Sequence, residues 1–326
     1  MFRNVFVCFC LFLNVVFYTA AASPSSNEDK TFNPDAKLKE EIKIGPLTEE
    51  EALAKPAVTK PSLVITDSIL LNNDILAFYG HPIAKNMGIL GRYSKEELEK
   101  KLTELAKEYK AESGGKNIQK AFYIIYGTVQ PGGRILTIDD IQKDLLKEWI
   151  EFAQKNDTLV FIDHQIGKYD PIESLKTMFP YLQYPNVHLA LDPEWRTTKP
   201  MEEFGGVSAE EINAAQQAME DYITENNITG ERMLVIHQFR EVMIKDRKDV
   251  RSDFKNIRLI HCMDGVGTPN QKRETYRFNA LATNIPIKAF KLFYDFKLPG
   301  VLVDSPLLTP KEVYLLEPRP YIIMYQ

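Results

Sequence analysis

From about residue 62 to the C-terminus, short apolar runs alternate with turn residues and with stretches of helical periodicity. Strand-like runs fall at 75–79, 121–126, 158–163, 187–192, 233–237, 257–261 and 287–294, with a closing one at 321–325. Helix starts lie between them. Ser94 with Glu97 three residues on forms a capping box, and a helical pattern covers 138–154. Asp170 precedes Pro171, a residue suited to a first helical position, and Ser208 with Glu211 and Thr309 with Glu312 repeat the capping signal. Strands alternating with helices imply a parallel sheet. Eight such units, ending on a strand that can close against the first, predict a single α/β domain over 62–326, a (β/α)8 TIM-type barrel. No G-x-G-x-x-G follows any of these strands and no G-x-x-x-x-G-K-[ST] occurs, which argues against an open dinucleotide-binding sheet or a P-loop.

The segment before the barrel has a different character. Arg3 is followed by an apolar run over 5–18 broken only by Asn14, then by Thr19, three alanines and Ser23. This is the pattern of a secretory signal peptide over 1–22, cleaved near Ala22. The run is shorter than the ~20 residues of an ordinary membrane span, so no integral span is expected in the mature chain. Residues 23–61 are polar, a leader or tether with one short helix at 48–54. The expectation is a secreted or extracytoplasmic protein of the cell envelope. Cys8 and Cys10 would leave with the signal, so Cys262 has no internal disulfide partner and is read as core. A formal net charge of −5 gives no electrostatic case for nucleic acid or an anionic membrane.

Barrel active sites lie at the carboxyl ends of the strands. In the run 187–192, side-chain alternation sends Val187, Leu189 and Leu191 to the helices, and His188, Ala190, Asp192 and Glu194 to the axis. The run before it puts Leu159, Phe161, Asp163 and Gln165 inward, so three carboxylates converge at the mouth. Like charges in a partly dry cleft separate their proton affinities, leaving one group an acid while another stays ionised. Glycoside hydrolysis uses that division. Glu194 is the expected general acid, with Asp192 or Asp163 as its charged partner. Trp195, Tyr79, His81, Gln165, His237, Gln238, Asp264 and Tyr294 are the expected substrate-binding set. The competing structural reading has these carboxylates accepting loop N–H groups or pairing with Arg196 or Lys291. Lys291 itself is expected to be salt-bridged rather than a Schiff-base lysine.

No H-x-H, H-E-x-x-H or G-x-S-x-G occurs, so no metal, no cofactor and no serine esterase triad is expected. A metal-dependent hydrolase using imidazoles with Asp192 and Asp264 stays as an alternative, as does a non-catalytic carbohydrate-binding protein. The Asp-x-Glu at 192–194 resembles the catalytic strand of several barrel glycosidases. Residues 78–82 (Phe-Tyr-Gly-His-Pro), 87–91 (Met-Gly-Ile-Leu-Gly), 189–195 (Leu-Ala-Leu-Asp-Pro-Glu-Trp), 237–239 (His-Gln-Phe) and the ending 318–326 resemble a family of uncharacterised secreted or lipoprotein-type bacterial proteins. That resemblance runs from about residue 75 onward and implies export and a shared site around Asp192, Glu194 and His237. It implies no reaction. Without a Cys at the cleavage point, this chain departs from the lipoprotein members. The function expected from the residues is hydrolysis of a cell-envelope or environmental polysaccharide.

Overall fold

A computed structural model describes residues 68–326. The expected signal peptide, the leader with its short helix, Cys8 and Cys10 lie outside the described residues. Eight strands form the barrel: β1 (Asn73–Gly80), β2 (Asn117–Val129), β3 (Thr158–Gln165), β4 (Val187–Asp192), β5 (Arg232–His237), β6 (Ile257–Met263), β7 (Ile287–Leu292) and β8 (Ile322–Tyr325). Each pairs in parallel with the next, and β8 pairs with β1, so the sheet closes into a (β/α)8 barrel. Closure leaves no free edge among these eight strands.

The outer layer holds α1 (Lys95–Glu112), α2 (Leu145–Lys155), α3 (Pro171–Met178), α4 (Ala209–Glu225), α5 (Pro269–Ala280) and α6 (Pro310–Tyr314). The capping boxes at Ser94, Asp170, Ser208 and Thr309 all form. The helix expected over 138–154 is divided. A single turn, Ile138–Ile141, is separated from α2 by Asp144, whose φ of 65° is left-handed. Aspartate tolerates that conformation better than most residues, and it cannot continue a right-handed helix.

Alternation along the strands sorts the two layers of packing. Val187, Leu189 and Leu191 join an apolar cluster with Ile212 and Met219 of α4. On the axial side Tyr79, Tyr123 and Phe161 form a ring layer, with centroids 5.0 Å and 5.1 Å apart. Each such pair adds about 0.5–1.5 kcal/mol beyond its buried area. Cys262 is fully buried on the same side, and its thiol is a core group with its ionisation suppressed by burial.

Between β5 and β6 the outer layer has no α-helix, but two 3-10 turns, Glu241–Met243 and Arg247–Asp249, and between them a two-residue strand, Ile244–Lys245, paired with Val207–Ser208. A buried polar chain fills the space. Arg247 donates to Gln238 Oε1 at 3.0 Å, which also lies 2.8 Å from His261 Nε2. Lys288 Nζ reaches His261 Nδ1 at 3.1 Å and the Ala282 carbonyl at 2.8 Å. Burial, aided by the Arg247 charge, pushes the Lys288 amine down to about 7. Between that value and its ordinary 10.5 the unfolded chain holds a proton that the folded chain lacks. Stability therefore rises with pH through this window. Urea denaturation from pH 6.5 to 10 checks this: Lys288→Met should flatten the rise, and identical slopes for both proteins would refute it.

Candidate active site

The carboxylate cluster at the mouth is assembled from two strand ends. β4 delivers Asp192, and the 3-10 turn Pro193–Trp195 that follows carries Glu194 over the opening. That turn is held by its neighbours: the Gly205 amide donates to the Glu194 carbonyl at 2.7 Å, and the Gly167 amide donates to the Trp195 carbonyl at 2.9 Å. A side-chain carbon at Gly205 would come within 2.5 Å of the Arg196 carbonyl oxygen, so only glycine lets the returning loop approach so closely. Asp264 comes from the end of β6. One carboxylate oxygen from each of Asp192, Glu194 and Asp264 lies within 4.8 Å of the others. Asp192 and Asp264 are buried and Glu194 is half-buried.

Proton affinities within this cluster are driven apart. Burial first, and then the Asp264 charge, raise the Glu194 carboxyl to about 8, against the opposing pull of Lys291, Arg240 and a hydrogen bond from Trp195. Burial and the Glu194 charge push Asp192 well above the carboxylate range. Asp264 goes the other way. Burial acts to raise it, but the adjacent His237, through charge and a hydrogen bond, holds it below the usual range, and Lys291 and Lys272 act in the same sense.

A hydrogen-bond chain beneath the carboxylates orients them. His237 Nδ1 lies 3.1 Å from Asp264 Oδ2, and its Nε2 lies 2.8 Å from the Tyr123 hydroxyl. Nδ1–H donates to the Asp264 carboxylate, which can only accept. Tyr79 donates its hydroxyl proton to Asp163 Oδ2 at 2.7 Å, and His237 Nε2 stands 3.7 Å from that same oxygen. The Oδ1 atoms of Asp163, Asp192 and Asp264 are buried with no hydrogen-bond partner among the described residues.

The expected site residues divide accordingly. Glu194, Asp192, Asp163, Asp264, His237, Tyr79 and Trp195 come together at or just below the mouth. Gln165 is buried and its Oε1 accepts from the Val129 amide at 2.8 Å, so it ties β2 to β3. His81 is fully buried in the loop after β1, and burial lowers its imidazole to about 4. Gln238 sits in the outer layer with Arg247 and His261. Tyr294 stacks on Tyr325, with ring centroids 5.0 Å apart, at the border of the outer apolar cluster. For Gln238 and Tyr294 the placement follows alternation: His237 and Lys291 point inward, so residues one and three positions on point out.

Two contributors escaped sequence reasoning. Tyr123 is the partner of His237 and was hidden in an apolar run. Arg240, three residues past the β5 terminus, acts on Glu194 electrostatically and lies over the Phe204 ring at 4.1 Å. The salt bridge expected for Lys291 does not form: its ammonium lies 3.5 Å from the Tyr79 ring centroid and pairs with no carboxylate within 4.0 Å among the described residues. The Asp192–Glu194–Asp264 trio could also hold a hard, oxygen-seeking divalent cation.

No family model matches the chain, and no curated protein matches it. Among solved structures it is similar to a glycoside hydrolase family 5 enzyme from Prevotella bryantii B14, at TM-score 0.43 and 13% identity, covering 78% of this chain and 89% of that one. It is similar as well to a family 18 chitinase from Crocus vernus, at TM-score 0.43 and 10% identity, covering 77% and 92%. An oxaloacetate acetylhydrolase is similar at TM-score 0.42 and 13% identity, covering 68% and 71%. At such identities the chemistry of the mouth follows from its own atoms and not from these neighbours.

Proposed function

We propose that the chain is an exported glycoside hydrolase that cleaves polysaccharide with retention of anomeric configuration, Glu194 acting as acid/base and Asp264 as nucleophile. The observation that carries this reading is the approach of Glu194 and Asp264 oxygens to within 4.8 Å at the barrel mouth. Retaining glycosidases place their two carboxyl groups roughly 5–5.5 Å apart, a spacing with which this approach is compatible. The opposed proton affinities of the pair support it, and they move the partner's role from Asp192 or Asp163 to Asp264.

In the first step Glu194 gives its proton to the glycosidic oxygen while the Asp264 carboxylate attacks the anomeric carbon. The carbon–oxygen bond breaks, the leaving sugar departs as an alcohol, and a glycosyl ester of Asp264 remains. In the second step the Glu194 carboxylate takes a proton from water, the water oxygen attacks the same carbon, and Asp264 is released. His237 holds Asp264 by its Oδ2. Trp195 offers an apolar face to the sugar ring.

Proton NMR of fresh digests by the chain from Ser23, across a panel of polysaccharides, tests the reading. The first-formed reducing end should keep the configuration of the bond cleaved. Inverted product would remove the nucleophile role from Asp264. Absence of any hydrolysis would favour a non-catalytic carbohydrate-binding protein.

A second reading rests on the buried, unpartnered Oδ1 of Asp192 beside Glu194 and Asp264, an arrangement a divalent cation would satisfy. It makes the protein a metal-dependent hydrolase. Turnover abolished by a chelator and restored by Mn²⁺ or Mg²⁺ would replace the first reading with this one.

A further inference from the structure

Two loops on the β4 and β5 side of the mouth carry apolar side chains into solvent. The first follows the Pro193–Trp195 turn and holds Met201, 52% exposed, and Phe204, 43% exposed. The second follows β5 and holds Phe239, half-buried, and Val242, 57% exposed. The loops form one surface. Phe204 and Phe239 meet edge to face, with ring centroids 5.8 Å apart. A side-chain carbon at Gly206 would come within 2.2 Å of the Val242 carbonyl oxygen, so the backbones touch as well. The Arg240 guanidinium lies over one face of Phe204, 4.1 Å from its centroid, and steadies the ring there. Neither ring belongs to the apolar cluster between strands and helices. Single exposed apolar residues need no explanation, but a contiguous group marks a binding surface.

This surface abuts the carboxylates. The Gly205 amide, next after Phe204, donates to the Glu194 carbonyl at 2.7 Å. Phe239 flanks Gly265, next after Asp264: a side-chain carbon at Gly265 would lie 3.2 Å from Phe239 Cβ. Exposure rises along the line from buried Asp264 through Phe239 to Phe204 and Met201, so a shelf leads outward from the carboxylate pair. A sugar with equatorial hydroxyls has the matching chemistry, a face of axial C–H groups with polar groups around its rim. Chains linked equatorially at C1 and C4 stay extended and keep such faces in line, whereas chains with an axial bond at C1 coil. The shelf suits the extended kind.

We propose that Phe204 and Phe239 form a subsite for a sugar residue beyond the bond that breaks, and that the substrate is an extended, β-1,4-linked chain. That the chain is cleaved rests on the glycosidase reading above; its seat on the shelf does not. Phe204 is here a specificity residue, remote from the reacting atoms.

Calorimetry on the Glu194→Gln protein, made from Ser23, tests this without consuming the ligand. The probes are the hexasaccharides of β-1,4-linked glucose, xylose and N-acetylglucosamine, with the α-1,4-linked glucose hexasaccharide for comparison. At least one β-linked chain should bind more tightly than the α-linked one. Adding Phe204→Ala should weaken that binding about three- to tenfold, the worth of one aromatic contact. Phe204→Tyr keeps the ring and should retain the affinity. Phe204→Leu keeps only apolar bulk and should not, a difference that a merely structural role would not produce. In the enzyme with Glu194 intact, Phe204→Ala should raise KM more than it lowers kcat. Thermal melting checks folding, and if the alanine variant does not fold, the tyrosine and leucine variants decide the matter. No preference for a β-linked chain, or unchanged affinity in Phe204→Ala and Phe204→Leu, overturns the proposal. Ring-dependent binding of a β-linked chain that wild type does not cleave would sink the glycosidase reading and leave the subsite standing. Cleavage with the same KM in wild type and Phe204→Ala would do the reverse.

Discussion

Glu194→Gln is expected to lower kcat by roughly 10²–10⁴-fold, the range typical for loss of a positioned general acid. The amide keeps the shape of the side chain and its place in the 3-10 turn, so substrate binding should change little. A second signature accompanies the loss. Because burial and the Asp264 charge raise the Glu194 carboxyl to about 8, the group is protonated at neutral pH and loses its proton above that value. Wild-type kcat/KM should therefore hold up to about pH 8 and fall beyond it. At the acid end the limit is protonation of Asp264, held below the ordinary carboxylate range by His237. The residual activity of the Glu194→Gln enzyme should lack the alkaline fall, since nothing remains at that position to titrate. Rates measured from pH 4 to 10 on both proteins decide it. An alkaline limb that persists in the variant would mean that another group is the acid.

Asp304→Ala should be the most damaging substitution for stability, at about 3–5 kcal/mol, the cost of breaking a buried charge pair by removing one partner. Asp304 is 3% exposed and accepts three times: from the Gly267 amide at 2.9 Å, the Phe293 amide at 3.0 Å and Lys272 Nζ at 3.0 Å. Lys272 is equally buried and donates also to the Gly265 carbonyl at 2.7 Å. The pair bolts the segment after β6, which carries Asp264, to the segment after β7. Without the carboxylate, Lys272 keeps a desolvated charge with only carbonyl oxygens around it, and two backbone amides lose their acceptor. A Tm lower by roughly 10 °C is expected for a domain of this size. The double variant Lys272→Met with Asp304→Leu should recover part of that loss, because no lone charge stays behind. A single variant that melts within about 2 °C of wild type, on the same scale, would show the pair to be dispensable.

Legibility of the site differs residue by residue. Asp163, Asp192 and Glu194 could be placed on the axis because a two-residue alternation against an apolar helix layer leaves only one face for polar groups. His237 was legible as the polar tip of a strand, and Gln238 and Tyr294, had alternation been applied strictly, would have been assigned outward. Asp264 was visible as a mouth residue, but its role was not. Nothing between 192 and 264 announces that these two positions meet, since their proximity depends on β4, β5 and β6 lying side by side in a closed sheet. The break at Asp144 was equally hidden, because the apolar periodicity of 138–154 continues across it.

What local chemistry decides along the chain is therefore the list of elements, their caps and the inward or outward face of each strand residue. Each of those depends on neighbours within four positions, through backbone hydrogen bonding and the burial of an alternating face. Proton affinities, the Tyr123–His237–Asp264 chain and the unpaired state of Lys291 were decided only by the tertiary structure. They are sums of charge and desolvation over groups brought together by barrel closure, and these interactions depend on distance through space, which sequence separation does not measure.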